Sequence, residues 1–436
     1  IVQGVGFRPF VYQLAASHGL QGRVSNTSSG VSIHIEGPSP AIAAFSRELT
    51  DNPPPLAHIT QINISETPLK KYREFSIIKS RTRGQRFTLI SPDVSTCDDC
   101  LKEMLDPRDR RYRYPFINCT NCGPRYTIID DIPYDRPKTS MRHFQMCDRC
   151  QAEYDDPMDR RFHAQPNACA VCGPHVRLHD NSGEKVVSED PIADAVTLLN
   201  SGHILAVKGL GGFHLVVDAE NQAAVKRLRQ RKHREEKPLA VMSYDLDIVR
   251  QYASFTPEEE QLLLSPQHPI VLLPKKEPEL LAEDVSPHSR YYGVMLPYTP
   301  LHHLLLKERF KALVMTSGNM SEEPIAIDNQ DALERLQILA DYFLLHDRDI
   351  YLRSDDSVVK TIDNRLRFFR RSRGYVPRPV FLKKPVRSIL ACGAELKNTI
   401  CLTRRDQAFL GQHVGDLENL ATFNFFKKTI AHLERI

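Results

Sequence analysis

The chain has 436 residues, 41% hydrophobic and 26% charged, with a formal net charge of +4 from 58 basic and 54 acidic side chains. That length exceeds what one ordinary core fills, so several domains are expected, and the near-balance of charge makes no general case for nucleic acid. No apolar run approaches the roughly 18 residues a membrane helix needs, so a soluble protein with no membrane partner is expected.

The chain opens at Ile1 with no initiator Met, charged start or apolar signal segment, and reads as a fragment without an export signal. From Ile1 to about Lys79, glycine-rich turns alternate with apolar stretches. A helix is expected over Phe10–His18, a strand over Val31–Ile35 and a second helix over Ala41–Leu49, giving a small α+β domain over residues 1–80. Ahead of the first helix stands Val2-Gln-Gly-Val-Gly-Phe-Arg8. Two glycines there let backbone N–H groups converge on an anion, and Arg8 adds a bidentate charge; a tight turn carrying a surface arginine is the plainer alternative. The stretch resembles the acylphosphatase signature, whose loop arginine is followed 18 residues later by an asparagine, here Arg8 and Asn26. The resemblance implies a ferredoxin-like domain in which Arg8 holds an acyl phosphate and Asn26 orients the attacking water. It also puts the family's first strand ahead of the loop, so this chain is expected to lack it.

The basic run Arg81–Arg86 and Pro92 mark a linker near residues 80 to 92. The segment that follows, 93–178, is duplicated. Adding 50 to Cys97, Cys100, Glu103, Arg110, Arg111, Cys119 and Cys122 lands on Cys147, Cys150, Glu153, Arg160, Arg161, Cys169 and Cys172. Each C-x2-C pair can put two thiolates on one metal, so the eight cysteines make two four-cysteine sites, expected to hold two structural zinc ions with no open position for chemistry. Thiolate ligands suit a reducing cytoplasm better than disulfides would. Spacing alone leaves the pairing open, within each repeat or nested. The layout resembles the cysteine-rich domain of DnaJ-type chaperones, which implies nesting: Cys97, Cys100, Cys169 and Cys172 on one ion, Cys119, Cys122, Cys147 and Cys150 on the other. His143, His163 and His175 are surplus to filled shells and read as surface or capping residues, while Cys392 and Cys401 read as small core residues.

Over residues 188–379, strand-like runs (Ile204–Lys208, Ile270–Leu273, Ala312–Thr316) alternate with helical ones (Gln222–Arg231, Gln330–Ala340), the rhythm of an α/β domain. A glycine turn, Gly209-Leu-Gly-Gly212, and the basic stretch from Arg227 to Lys237 could hold phosphates between them, although a solvated basic helix face explains the charges equally well. No Walker loop or Rossmann fingerprint stands in its proper context. The segments Lys232-His-Arg234, Lys237-Pro-Leu, Gly293-Val-Met-Leu-Pro297, Thr316-Ser-Gly-Asn319 and Asp355-Asp-Ser-Val-Val359 resemble the YrdC family, which makes carbamoyl-type adenylates. The resemblance implies that Lys232, Arg234 and Lys237 neutralise the triphosphate of ATP with Mg2+. Ser317 and Asn319 would bond the phosphates, Ser357 with Arg371 or Arg373 would close the site, and Lys208 would face the small acid.

Residues 388–436, with Cys392-Gly-Ala-Glu-Leu-Lys-Asn and Gln412-His-Val-Gly-Asp-Leu, resemble the opening of an ASKHA-type carbamoyltransferase domain. In this order the four parts resemble the hydrogenase-maturation carbamoyltransferases of the HypF type. That resemblance implies hydrolysis of carbamoyl phosphate to carbamate, its adenylation with ATP, and transfer to the C-terminal cysteine of a HypE-type partner, the transfer step being expected to be lost from this fragment. The rivals are a threonylcarbamoyl-adenylate synthase for tRNA modification and a zinc-dependent chaperone or nucleic-acid-binding module; no nucleic-acid partner is expected on the main reading.

Overall fold

The computed structural model describes residues 5–27, 30–54, 56–57, 59, 61–78, 90–131, 134–307, 309–320 and 323–435. Val2–Gly4 of the first loop and the linker as far as residue 89 lie outside them.

The first domain contains α1 (Phe7–Ser17), β1 (Gln21–Thr27), β2 (Gly30–Glu36), α2 (Ser39–Asp51) and β3 (Phe75–Ile77). α1 starts earlier than the apolar pattern suggests because Gly6, at φ 72°, takes the left-handed cap conformation that glycine alone adopts freely. Val11, Leu14 and Ala15 recur at helical spacing and meet Val24, Phe45, Leu49 and Phe75 in one core. β1 lies between β2 (antiparallel) and β3 (parallel).

Each cysteine repeat carries a short helix directly after its first cysteine, α3 (Asp98–Leu105) and α4 (Asp148–Asp155). The two repeats exchange side chains. Arg111 of the first gives Nη1 and Nη2 to Glu153 at 3.0 and 2.5 Å and Nε to the Ala168 carbonyl at 2.9 Å. Arg161 of the second reaches Glu103 and gives Nε to the Asn118 carbonyl at 3.1 Å. Arg110 pairs with Glu153 at 2.7 Å and Arg160 with Glu103 at 2.6 Å. The positions that repeat at an interval of 50 are thus the ones that lock the copies together. Burial works against the Glu153 charge, but Arg111 and Arg110 outweigh it and hold the carboxyl down at about 2.

The chain continues through β4 (Val176–Asp180), α5 (Pro191–Asn200), β5 (Leu205–Lys208), β6 (Phe213–Asp218), α6 (Gln222–Arg231), β7 (Ala240–Met242), α7 (Leu246–Tyr252), α8 (Pro257–Leu264), β8 (Ile270–Pro274), β9 (Tyr291–Met295), α9 (Pro300–Leu306), β10 (Leu313–Ser317), α10 (Asn329–Leu336), β11 (Tyr342–His346), β12 (Val358–Ile362) and β13 (Arg365–Arg370). These build a ten-stranded mixed sheet in the order β13-β12-β8-β9-β7-β10-β6-β5-β11-β4. Its edge strand β4 leaves directly from the second cysteine repeat, so module and sheet are continuous. α10 stops at Leu336, short of the expected Ala340, because the Leu339 and Ala340 N–H groups both turn back to the Leu336 carbonyl. Strand side chains alternate between faces. Ala206, Leu215 and Val217 enter one core with α6 and α10, whereas Leu205, Val207 and Val216 enter the other, which they share with Met104, Phe116, Ile117 and Ile128 of the cysteine module.

The last segment holds β14 (Val380–Val386), β15 (Leu390–Cys392), β16 (Ile400–Leu410) and α11 (Leu420–Arg435). It is tied to the cysteine module by Tyr126 Oη–H to Gln412 Oε1 at 2.8 Å. Cys392 is exposed and Cys401 half-buried, so the expectation of core cysteines is corrected: the small three-stranded sheet of β14, β16 and β15 covers neither of them fully. No helix among the described residues is long and apolar enough to cross a membrane.

Replacing Arg111, 2% exposed, strands the Glu153 carboxylate, so Arg111→Ala should cost about 3 kcal/mol, read as earlier zinc release in a urea titration. Arg108→Ala, at an exposed pair with Asp106, should cost about 0.5 kcal/mol or less. The Glu153 contribution is present above the ordinary carboxyl pKa and is lost as pH falls toward about 2, so Glu153→Gln should flatten that part of the acid-stability curve.

Candidate functional site

The eight cysteines form two clusters, each within one repeat: Cys97, Cys100, Cys119 and Cys122, and Cys147, Cys150, Cys169 and Cys172. This corrects the nested pairing that the chaperone likeness implies. Each repeat folds its second C-x2-C pair back onto the start of its own helix, and the repeats meet through arginines rather than through shared metal. Sulfur–sulfur distances are 3.7, 3.8 and 3.5 Å in the first cluster and 3.8, 3.8 and 3.6 Å in the second. Four thiolates tetrahedrally placed about 2.3 Å from a zinc ion would stand about 3.8 Å apart, so the donor sets fit. Arg160 Nη1 lies 3.2 Å from Cys100 Sγ and Arg110 Nη2 3.3 Å from Cys150 Sγ, each reaching the other repeat's cluster. These cations offset the excess negative charge of a four-thiolate site.

Arg8 and Asn26 stand at the same end of the first domain. α1 from Arg8 rises about 14 Å, β1 back to Asn26 about 17 Å, and a tight turn joins them. The Arg8 guanidinium is largely buried, and burial lowers its pKa against the weaker pull of Asp135 and Tyr154, both from the cysteine module. It closes no ion pair among the described residues. Asn26 Oδ1 is likewise enclosed without a hydrogen-bond partner. A buried cation and an orphaned acceptor are what an anion with an ordered water would satisfy.

In the large sheet a cavity of about 440 Å³ opens between the ends of β6, β9 and β10 and the β12–β13 hairpin. Arg234, Lys237, Ser317, Thr316, Arg370 and His214 contribute to its walls. Arg234 is fixed by Thr316 Oγ1 at 3.2 Å and the Pro238 carbonyl at 2.6 Å, and burial, with Arg229 and Arg370, lowers it to about 10. Burial and the same two neighbours, Arg234 and Arg370, also lower Lys237. Three cations crowded in this way are poised for a polyanion.

Lys232 stands behind this wall. Its ammonium donates to the Ser317 carbonyl (2.7 Å), the Asn319 carbonyl (2.6 Å) and Asn319 Oδ1 (2.9 Å), which orders the Thr316–Asn319 turn. Burial and the cations Arg234 and Lys237 pull it down to about 7. Ser357 and Arg373 are also behind the wall. Ser357 donates to the Arg373 carbonyl, and Arg373 holds Asp356 at 2.6 Å, which in turn holds His214 Nε2 at 3.1 Å on the cavity side. Arg371 turns away to the Leu410, Tyr375 and Arg378 carbonyls. Lys208 is buried beside the glycine turn, bonded to the His346 carbonyl at 3.1 Å and lowered to about 8 by burial. The wall residues that sequence reasoning passed over are Arg370 and His214. Arg370 sits in the same arginine run as Arg371 and Arg373, and the strand's alternation selects it. Asp355, also on the wall, is held by His413 Nδ1 at 2.9 Å, so the last segment touches the cavity's rim.

Four family profiles match in series: Acylphosphatase over residues 1–77, HypF finger over 96–129 and 146–179, Telomere recombination (Sua5, YciO and YrdC) over 197–372, and HypF Kae1-like domain over 384–436. The chain is 51% identical over 437 residues to carbamoyltransferase HypF of Synechocystis sp., covering 100% of this chain and 57% of that protein. It is 46% identical over 443 residues to the probable carbamoyltransferase HypF of Methanocaldococcus jannaschii, covering 100% and 57%. A crystal structure of full-length HypF in the phosphate- and nucleotide-bound form superposes with a TM-score of 0.94 at 50% identity, over 100% of this chain and 57% of the other. The T. kodakarensis HypF structure gives 0.88 at 44%, over 100% and 56%.

Pairing within repeats makes a sharp prediction for metal content. The double variant Cys97→Ser/Cys172→Ser should lose both zinc ions, because it breaks one ligand in each cluster. Nested pairing would cost it only one, and zinc measured per chain by plasma mass spectrometry separates the two.

Proposed function

Since the chain belongs to the HypF family, matching its members from end to end while spanning 56 to 57% of their length, we propose that it carries the first two reactions of a carbamoyl-transfer sequence. Carbamoyl phosphate binds with its phosphoryl group against Arg8 and the loop N–H groups. Water oriented by Asn26 attacks phosphorus, the bond to the acyl oxygen breaks, and phosphate and carbamate leave. A carbamate oxygen then attacks the α-phosphorus of ATP in the cavity, pyrophosphate departs, and carbamoyl-adenylate forms. Arg234, Lys237 and Arg370, with Mg2+, offset the charge that builds on the triphosphate. Ser317 and Asn319 bond the phosphates from a turn that Lys232 keeps in shape. Lys208 uses one of its three donors on the His346 carbonyl, which leaves two for the acid. Ser357 and Arg373 act through the wall they support, and Arg371 through its hold on the last segment.

Zinc, when bound by the two cysteine clusters, supplies cross-links and no open coordination position. The full sequence of reactions would end with transfer of the carbamoyl group to the C-terminal cysteine of a HypE-type partner, in a part of the relatives' length that this chain does not span. Thiolate zinc ligands favour a cytoplasmic setting.

The observation that carries the proposal is the pair of orphans at Arg8 and Asn26, in a chain that also holds a cationic cavity. A threonylcarbamoyl-adenylate synthase leaves Arg8 and the cysteine module without a role, and a zinc chaperone or nucleic-acid module leaves the cavity without one. Arg8→Ala should lower phosphate release from carbamoyl phosphate about 100-fold or more. AMP formation should fall with it and recover when ammonium carbamate is supplied, whereas Arg234→Ala should cut AMP formation from either source. Phosphate release indifferent to Arg8→Ala would contradict the proposal.

A further inference from the structure

The cysteine module does more than stand beside the Arg8 site. Gln13 Nε2 donates to the Pro157 and Met158 carbonyls at 3.3 Å, so α1 rests on the second repeat. A Cβ built on Gly6 would come within 3.2 Å of Asn121 Oδ1 and 3.3 Å of Thr120, so the first repeat closes on the cap of the same helix. The Thermotoga maritima acylphosphatase aligns over 78 residues, 86% of its length, which leaves no room for such a cover.

Facing Arg8 from this cover are Asp135, Tyr154 and His163. Their backbone and side chains are braced. Tyr154 Oη donates to Gln165 Oε1 at 3.0 Å, and the same oxygen receives the Arg136 N–H at 2.7 Å, directly after Asp135. The Asp135 carbonyl accepts from the Lys138 N–H at 2.8 Å, closing the turn. The His163 ring packs 5.0 Å from Tyr154 and 4.3 Å from Phe162. Neighbouring cations are spent elsewhere: Lys138 on Asp131, and Arg136 on the Gln165, Asn167 and Phe144 carbonyls. The Asp135 carboxylate therefore takes no hydrogen bond or ion pair from the described residues, and it does not close onto Arg8. A cation and a carboxylate stand opposite each other with a gap between them.

Resting on the acyl-phosphate reading above, we infer that Asp135 completes this site, its carboxylate accepting hydrogen bonds from the amino group of carbamoyl phosphate while Arg8 holds the phosphoryl end. Carbamoyl and acetyl phosphate differ at this position: the first presents an NH2 with two donors, the second a methyl. A carboxylate rewards the donors. Against a methyl it loses water without compensation and still repels the phosphate, so it selects by disfavouring the wrong substrate as well as by holding the right one. The cysteine module thereby sets which acyl phosphate the neighbouring domain accepts.

The test is the ratio of kcat/KM for carbamoyl phosphate to that for acetyl phosphate, measured by phosphate release with the zinc-loaded chain. Asp135→Ala should lower the ratio about 10- to 100-fold, the range expected for loss of hydrogen bonds to a charged group. Asp135→Asn, whose amide oxygen still accepts, should recover part of it. A ratio unchanged in Asp135→Ala overturns the inference, as does an Asn variant no better than Ala. Arg8→Ala is the separate control: it should depress both substrates, and failure to do so would overturn the underlying reading rather than the role of Asp135.

Discussion

The reciprocal exchange of arginines and glutamates between the two cysteine repeats is the constraint on which the other arrangements rest. Arg111 reaches Glu153 and Arg161 reaches Glu103, while Arg110 and Arg160 extend to the partner repeat's cysteine sulfurs. A planar guanidinium can satisfy a carboxylate with two parallel bonds and still offer its remaining N–H groups to a carbonyl, which a lysine cannot do. Each ion pair is buried enough that removing one partner is costly, so the two metal clusters behave as one rigid block. Because each cluster is closed within its own repeat, the rigidity comes from the exchange and not from a shared ion.

That block is the hub of the chain. Its apolar residues Met104, Phe116 and Ile117 complete one face of the ten-stranded sheet, its Tyr126 holds Gln412 of the last segment, and its second repeat receives Gln13 of the first domain. The acyl-phosphate end and the nucleotide cavity are thereby held in fixed relation by one body. This matters for an acid such as carbamate, which decomposes in water and is better used near where it is made.

Much of this was legible because the signals are short and local. The four C-x2-C pairs, the interval of 50 residues and the spacing from Arg8 to Asn26 are written in consecutive residues, and α6 fell over Gln222–Arg231 as its pattern requires. What sequence could not resolve depends on side chains meeting across distance. The pairing of cysteines hinged on how each repeat folds back, and a likeness to another cysteine-rich domain pointed the wrong way. In the arginine run 370–373, strand alternation decides which side chain faces the cavity, and a register shift at Val358/Val359 sets that alternation, so Arg370 rather than Arg371 or Arg373 lines the wall. Lys232 belongs to a motif whose charges suggest phosphate contact, yet its ammonium is consumed by the turn that carries Ser317 and Asn319.

The central claim is that one chain makes carbamate and spends ATP on it. Phosphorus NMR of the zinc-loaded protein with ATP and Mg2+ tests this most directly, with carbamoyl phosphate in one tube and threonine plus bicarbonate in another. The account predicts AMP and pyrophosphate only where carbamoyl phosphate is present; their formation only with threonine and bicarbonate would contradict it.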